Sequence, residues 1–185
     1  MFSFELLGKA DRARAGEWMT PHGSIQTPSF VAVGTQGTVK SLSVEDLREI
    51  GNQVIIANAY HLHLQPGEEL IEGMGGLHRF MGWQGPLITD SGGFQIFSLG
   101  AGKEHGVGKI APIFPVEQDR GGHLSWKTGK PLVKVDDDGV EFVSYLDGSP
   151  HRFTPEGVIE IEKRLGADVI LVLDECTSPL HDYHY

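Results

Sequence analysis

Short apolar runs that end in polar residues recur along this chain, and segments of helical period separate them. Residues 27–34, 54–58, 87–89 and 167–173 are four such runs. Each reads as a strand buried on both faces. Ser43 is placed to cap a helix that begins at Val44, with Val44, Leu47 and Ile50 on one face and Gly51 as its stop. Pro66 opens a second helix through Glu69, Leu70 and Met74. Thr154, Pro155 and Glu156 start the clearest one; Val158, Ile161 and Leu165 share its apolar face and Gly166 ends it. Strand and helix alternate from Phe30 onward, which predicts an α/β fold of parallel βα units.

Two other regions read differently. Residues 2–7 and 16–25 form short strands around a polar turn at 11–14, so residues 1–26 are expected to make N-terminal antiparallel strands. Residues 100–138 are rich in Gly, Lys and Asp and have little periodicity. Residues 140–145 then alternate, and Asp147-Gly148 signals a hairpin turn. An inserted hairpin region near 100–150 is expected. Residues 27–185 otherwise read as one domain that stops just after its fourth apolar run, with no helix following to cover it. Four parallel strands make a small open sheet or half of an eight-stranded barrel, and the expectation here is a truncated domain.

Composition narrows the class. Hydrophobic residues are 39% of the 185, enough for a real core. No apolar run reaches membrane-spanning length, and no basic segment with an apolar block opens the chain. The single Cys forms no internal disulfide and fits a reducing, cytoplasmic setting. The net charge of −10 argues against broad electrostatic capture of nucleic acid by this stretch. A nucleic-acid substrate stays open if another segment or subunit carries the basic surface.

The most informative stretch is residues 86–95, where an apolar run ends on Asp90 and Ser91, Gly92, Gly93, Phe94 and Gln95 follow. Strand ends are where parallel α/β proteins keep their chemistry. Asp174 holds the equivalent place after the fourth run. In a parallel barrel the two carboxylates share one face, where they can accept hydrogen bonds from an amide-like edge or move protons. Each can equally cap a following turn. The 91–93 backbone can present N–H groups to an anion or carbonyl oxygen, Phe94 can stack on a planar ligand, and Gln95 can bond a base edge. Each of these has a plain alternative as loop or core.

Asn58 ends the second run and can orient a neighbouring carboxylate. His61 and His63 follow it, a His-x-His pair of the kind that ligates zinc in amidohydrolases, which is the rival hydrolase reading. Further ligands at later strand ends are not evident. Cys176 follows Asp174 with no base partner in view, so a pocket-wall or core role is expected. The run at 136–139 lacks the ligand spacing of a calcium loop and reads as a solvated turn.

The order and spacing of several segments resemble the tRNA-guanine transglycosylases (queuine tRNA-ribosyltransferases). They are TPSF at 27–30 with VGTQGTVK at 33–40, ANAYHL at 57–62, QPG at 65–67, GLHRFMGW at 76–83, TDSGGFQIFSL at 89–99, DGVEF at 138–142, DGS at 147–149 and LDEC at 173–176. The resemblance covers the N-terminal half of the family's catalytic domain. It implies a (β/α)8 TIM barrel, here about its first four βα units, with an N-terminal antiparallel sheet.

The activity implied is a pentosyltransferase reaction in queuosine biosynthesis, exchanging a guanine of the tRNA anticodon loop for a 7-deazaguanine. In it, Asp90 would be the general acid/base and Phe94 would stack on the base. Asp174 would bind the guanine-like edge, and Ser91 and Asn58 would support Asp90. Gly92, Gln95 and Cys176 would line the same pocket. A Cys at 176 looks bacterial and favours 7-aminomethyl-7-deazaguanine over queuine. The implied partners are tRNA, the base and a second subunit in a homodimer, without a membrane.

Three departures follow. The family's nucleophilic Asp is absent from these residues, so the chain alone is expected to be inactive. The three Cys and one His that hold the family's structural zinc are also absent, as is its basic surface, so no metal is expected within these residues. The 100–138 stretch is longer than the usual connection. The reading from another class is a noncatalytic module that binds deazaguanine or pairs with a catalytic subunit.

Overall fold

The computed structural model describes residues 1–97 and 133–175. The chain divides into two units, Met1–Gly92 with Pro155–Leu173, and Gly93–Thr154 with Asp174–Tyr185.

The first unit opens with an antiparallel sheet of β1 (Ser3–Ala10), β2 (Ala13–Thr20) and β3 (Gly23–Thr27), in that order. Residues 16–25, expected as one strand, are two. Pro21 offers no backbone donor to a ladder, and Gly23 takes a φ of +131°, so the backbone turns there.

A second sheet of β4 (Val31–Val33), β5 (Val54–Asn58), β6 (Leu87–Asp90) and β10 (Val169–Ile170) is parallel throughout, in the order β10-β6-β5-β4. These are the four apolar runs. Val54, Ile55, Ala57 and Leu87 are buried, as a strand covered on both faces requires. The two outer strands are shorter than their runs. Val33, Leu171 and Val172 are exposed, because each outer strand has a neighbour on one side alone among the described residues. Apolar character alone does not bury a residue; a covering neighbour does.

The helices of this unit are α1 (Val44–Glu49), α2 (Ala59–Leu64), α3 (Glu68–Gly73), α4 (Leu77–Met81) and α6 (Pro155–Leu165). α1 starts in a capping box: the Ser43 hydroxyl accepts from the Asp46 N–H at 3.0 Å, and the Asp46 carboxylate accepts from the Ser43 N–H at 2.7 Å. α3 begins after Gly67 rather than at Pro66, since Gly67 holds a φ of +102° that interrupts the turn. α2 and α4 span six and five residues, too short for a periodic signal. On α6, Val158, Ile161, Glu162 and Leu165 are buried, so a carboxyl shares the apolar stripe.

Just before β10, Asp168 ties the two sheets of this unit together. Its carboxylate, 1% exposed, lies 2.6 Å from His22 Nδ1 in the β2–β3 turn and 3.3 Å from His78 Nε2 on α4. It also accepts from the Leu87 N–H at 2.9 Å. The two imidazoles stack at 3.7 Å.

The second unit has a helical segment, α5, at residues 93–97, and an antiparallel sheet of β7 (Val133–Asp136), β8 (Gly139–Val143) and β9 (Pro150–Phe153). The β8–β9 hairpin turns at Asp147-Gly148, where Asp147 accepts from the Ser149 N–H at 3.1 Å. Phe142 meets Phe153 edge-on at 5.0 Å beneath it. β7 lies in the stretch without periodicity; its residues are mostly exposed and carry no alternating signal. Asp136 anchors it through a bidentate pair with Arg152, at 2.8 and 2.9 Å. That pair holds the Asp136 carboxyl down at about 2. Among the described residues, no helix is long and apolar enough to cross a membrane.

Candidate active site

In a parallel sheet every strand ends on the same edge, so the last residues of β5 and β6 are neighbours by construction. Asn58 and Asp90 are register partners across this pairing. Asn58 Nδ2 donates to Asp90 Oδ2 at 2.6 Å. The other end of the Asn58 amide is also used, as Oδ1 accepts from the His61 N–H at 3.2 Å and caps α2. The two partners demand opposite ends of the amide, so its orientation is determined by chemistry. Asn58 is buried and Asp90 half-buried, which leaves the carboxylate held yet accessible.

The turn after Asp90 is packed tightly. Ser91 and Gly92 are buried. Gly92 takes a φ of +92°, and a Cβ there would run into the backbone and Cβ of Tyr60. Glycine is required by both backbone angle and space. The Gly92 N–H makes a long contact of 3.4 Å to Asp90 Oδ1, so it faces this carboxylate.

His61, on the first turn of α2, is the titrating neighbour of Asp90. Burial pushes its imidazole below the ordinary histidine value, and the Asp90 charge partly opposes that. His63 Nδ1 sits 2.8 Å from Glu68 Oε2. No third ligand joins His61 and His63 among the described residues; the one trio of metal-ligand type there is His22, His78 and Asp168. The stacked rings of that trio are nearly parallel, 23° apart, so their in-plane lone pairs do not converge on one ion.

The remaining candidates belong to the second unit. Phe94 is 54% exposed and Gln95 half-buried. Asp174 is exposed, and a Cβ on Gly93 would strike its carbonyl and carboxylate oxygens. Gly93 therefore lets the start of α5 lie directly against Asp174. Cys176 lies outside the described residues.

Two features escaped the reading of the sequence. Glu162 is fully buried, and its signal was its position four residues after Val158 and three before Leu165, within the apolar stripe. The His22–Asp168–His78 cluster left no signal, since its members are 146 and 90 residues or 56 and 90 residues apart in sequence and meet through tertiary structure alone.

Comparison with known proteins identifies a family for the chain. The profile of the queuine tRNA-ribosyltransferase family matches residues 10–113 and 108–185. A queuine tRNA-ribosyltransferase of Roseiflexus sp. (strain RS-1) is 51% identical over 181 residues, covering 97% of this chain and 42% of the relative. That of Aquifex aeolicus (strain VF5) is 46% identical over 185 residues, covering 100% of this chain and 43% of the relative. That of Herpetosiphon aurantiacus is 47% identical over 175 residues, covering 95% and 37%. The chain thus spans less than half the length of these curated relatives. On this match, the chain belongs to the queuine tRNA-ribosyltransferase family.

Proposed function

We propose that this chain is the N-terminal part of a tRNA base-exchange enzyme, half of a (β/α)8 barrel, in which Asp90 is the general acid/base. The supporting observation is the 2.6 Å hydrogen bond from Asn58 to Asp90 at the shared end of β5 and β6. One carboxylate oxygen is fixed by a buried amide that is itself fixed by α2. The other faces the Gly92 N–H at 3.4 Å, a contact too long to occupy it fully. Such a group can take a proton from an entering base and return one to a leaving base without first having to be oriented. Phe94 supplies an exposed aromatic face for stacking, and Asp174 an exposed carboxylate for the N–H edge of a guanine-like base.

The rest of the reaction lies beyond these residues. The carboxylate that attacks the ribose and the tRNA-gripping surface implied by the family resemblance are not among these residues; tRNA and a second subunit are the proposed partners. The structural zinc implied by the family does not fit here, because the chain has one Cys and cannot furnish a three-Cys, one-His set. No step is routed through it. The base taken up is a 7-deazaguanine such as 7-aminomethyl-7-deazaguanine.

The test is incorporation of labelled guanine into tRNA. The chain alone is expected to give none. Mixed with the C-terminal remainder of a longer relative it is expected to exchange guanine, and Asp90→Asn to abolish that exchange. Undiminished exchange by Asp90→Asn would remove Asp90 from the proposed role.

A further inference from the structure

On α6 lies a second carboxyl that the proposed chemistry does not use. Glu162 is 0% exposed, and neither of its oxygens closes a hydrogen bond. Its polar neighbours are the Thr89 hydroxyl and the Leu171 N–H. Thr89 is also 0% exposed with its hydroxyl unpaired. The Leu171 N–H already donates to the Thr89 carbonyl at 3.0 Å. Thr89 immediately precedes Asp90 on β6. An ionised, unpaired carboxylate in such a place is strongly unfavourable, whereas a carboxylic acid is tolerated.

We propose that Glu162 is a positioning residue for Asp90: its buried, unpaired carboxyl stays neutral beside Thr89, so α6 stays seated and the strand end that presents Asp90 keeps its place. This rests on the reading of Asp90 as the acid/base. Ionisable groups on the helices packed against α6 are His61 and His63 on α2 and Glu68, Glu69 and Glu72 on α3, and Asp90 ends β6, the strand of the neighbouring Thr89. Of these, Asp90 is the one whose charge acts on Glu162. Glu68 is held by His63, while Glu69 and Glu72 face Arg164 on another side of α6. Burial is the largest influence on Glu162 and raises it to about 7, the Asp90 charge adds to that, and its two polar neighbours oppose it. The carboxyl thus changes charge near neutral pH, next to the strand end that presents Asp90. Once ionised, it puts a negative charge beside the strand that presents Asp90.

The experiment uses the full 185-residue chain with 13C-labelled carboxyls, followed by NMR across pH 3–9. The Asp90 resonance is expected to move a second time as Glu162 ionises. That second inflection is expected to vanish in Glu162→Gln, which keeps a neutral group of the same shape. Thr89→Val removes a neighbour that favours the charged form, so the Glu162 midpoint is expected to rise and the second Asp90 inflection to rise with it. Loss of the second inflection from the parent chain, or its persistence in Glu162→Gln, overturns the proposal; so does an Asp90 inflection that ignores a moved Glu162 midpoint in Thr89→Val.

Calorimetry with guanine as the probe adds a functional reading. Affinity is expected to fall about threefold or more from pH 6 to pH 8 in the parent and to stay level in Glu162→Gln. Equal pH profiles in the two proteins overturn the inference and leave the base-exchange reading standing. Absence of guanine binding in both counts against the base-exchange reading, and the NMR arm alone then decides the linkage.

Discussion

Asn58 Nδ2 lies 2.6 Å from Asp90 Oδ2, across two parallel strands whose last residues are register partners. The bond is charge-assisted and half-sheltered, and it joins residues 32 positions apart. It links strand pairing directly to site geometry: any slip of β5 against β6 would separate the amide from the carboxylate. Asn58→Leu leaves that carboxylate without its donor and α2 without its cap. The expected loss of stability is about 2 kcal/mol, read by denaturant unfolding. Asn58→Asp places two carboxylates in contact and is expected to raise the Asp90 midpoint, read by carboxyl NMR. An unmoved Asp90 midpoint in Asn58→Asp would show that the contact does not govern this carboxylate.

Gly92 and Gly82 form a matched pair for testing space against backbone angle. Both hold positive φ, +92° and +70°, but a Cβ at Gly92 meets Tyr60 whereas one at Gly82 meets nothing within 4 Å. Gly82→Ala is expected to lower stability by about 1 kcal/mol, the strain of a left-handed residue alone. Gly92→Ala adds a collision with buried backbone and is expected to lower it by about 3 kcal/mol or more. Equal losses in thermal unfolding would mean that the turn after Asp90 relaxes freely.

His78 gives the chain an acid sensitivity of defined sign. Burial is the largest cause that holds its imidazole below the ordinary 6.5, followed by the charge of stacked His22, with Asp168 opposing. A histidine depressed in the folded state binds its proton more readily when unfolded. Its contribution is therefore present above pH 6.5 and is lost as pH falls through the lower folded value. His61 acts in the same direction. His78→Gln is expected to flatten the decline of unfolding free energy below pH 6.5; an unchanged decline would assign it to other groups.

Glu162 acts with the opposite sign. A carboxyl raised from 4.5 to about 7 holds more protons folded than unfolded. Its favourable contribution is complete below pH 4.5 and is lost as pH rises toward 7, a loss on the order of 3 kcal/mol at most. Glu162→Gln is expected to remove that slope and to make the protein more stable than the parent at pH 8. Urea unfolding at pH 5 and pH 8 measures both. A variant no more stable than the parent at pH 8 would mean that the carboxyl already finds a partner.

Asp168 is expected to be the most sensitive position remote from the site. Its 1% exposed carboxylate receives the Leu87 N–H and approaches both His22 and His78. Asp168→Ala strands a buried N–H and two imidazoles, with an expected loss of about 3 kcal/mol in urea unfolding. Because His22 lies in the β2–β3 turn, hydrogen exchange in β2 and β3 is expected to rise more than in β5. A uniform rise would show that the cluster does not tie the N-terminal sheet to the rest of its unit.

Local chemistry alone carried much of this. The four apolar runs are the four parallel strands. Ser43 states the start of α1, Gly166 the end of α6, and Asp147-Gly148 the β8–β9 turn. Asp90 at the end of an apolar run already marked a strand-end carboxylate. These signals are legible because they act within a few residues: a cap, a turn and a period are set by near neighbours. Tertiary structure decided the rest. It chose Asn58 as the partner of Asp90, shortened β10 where no neighbour among the described residues covers it, placed Glu162 with the apolar residues of α6, and gathered His22, His78 and Asp168 from three distant segments. Pairing, burial and charge coupling depend on what lies across space, and no order of residues along a line states that until the strands are in register.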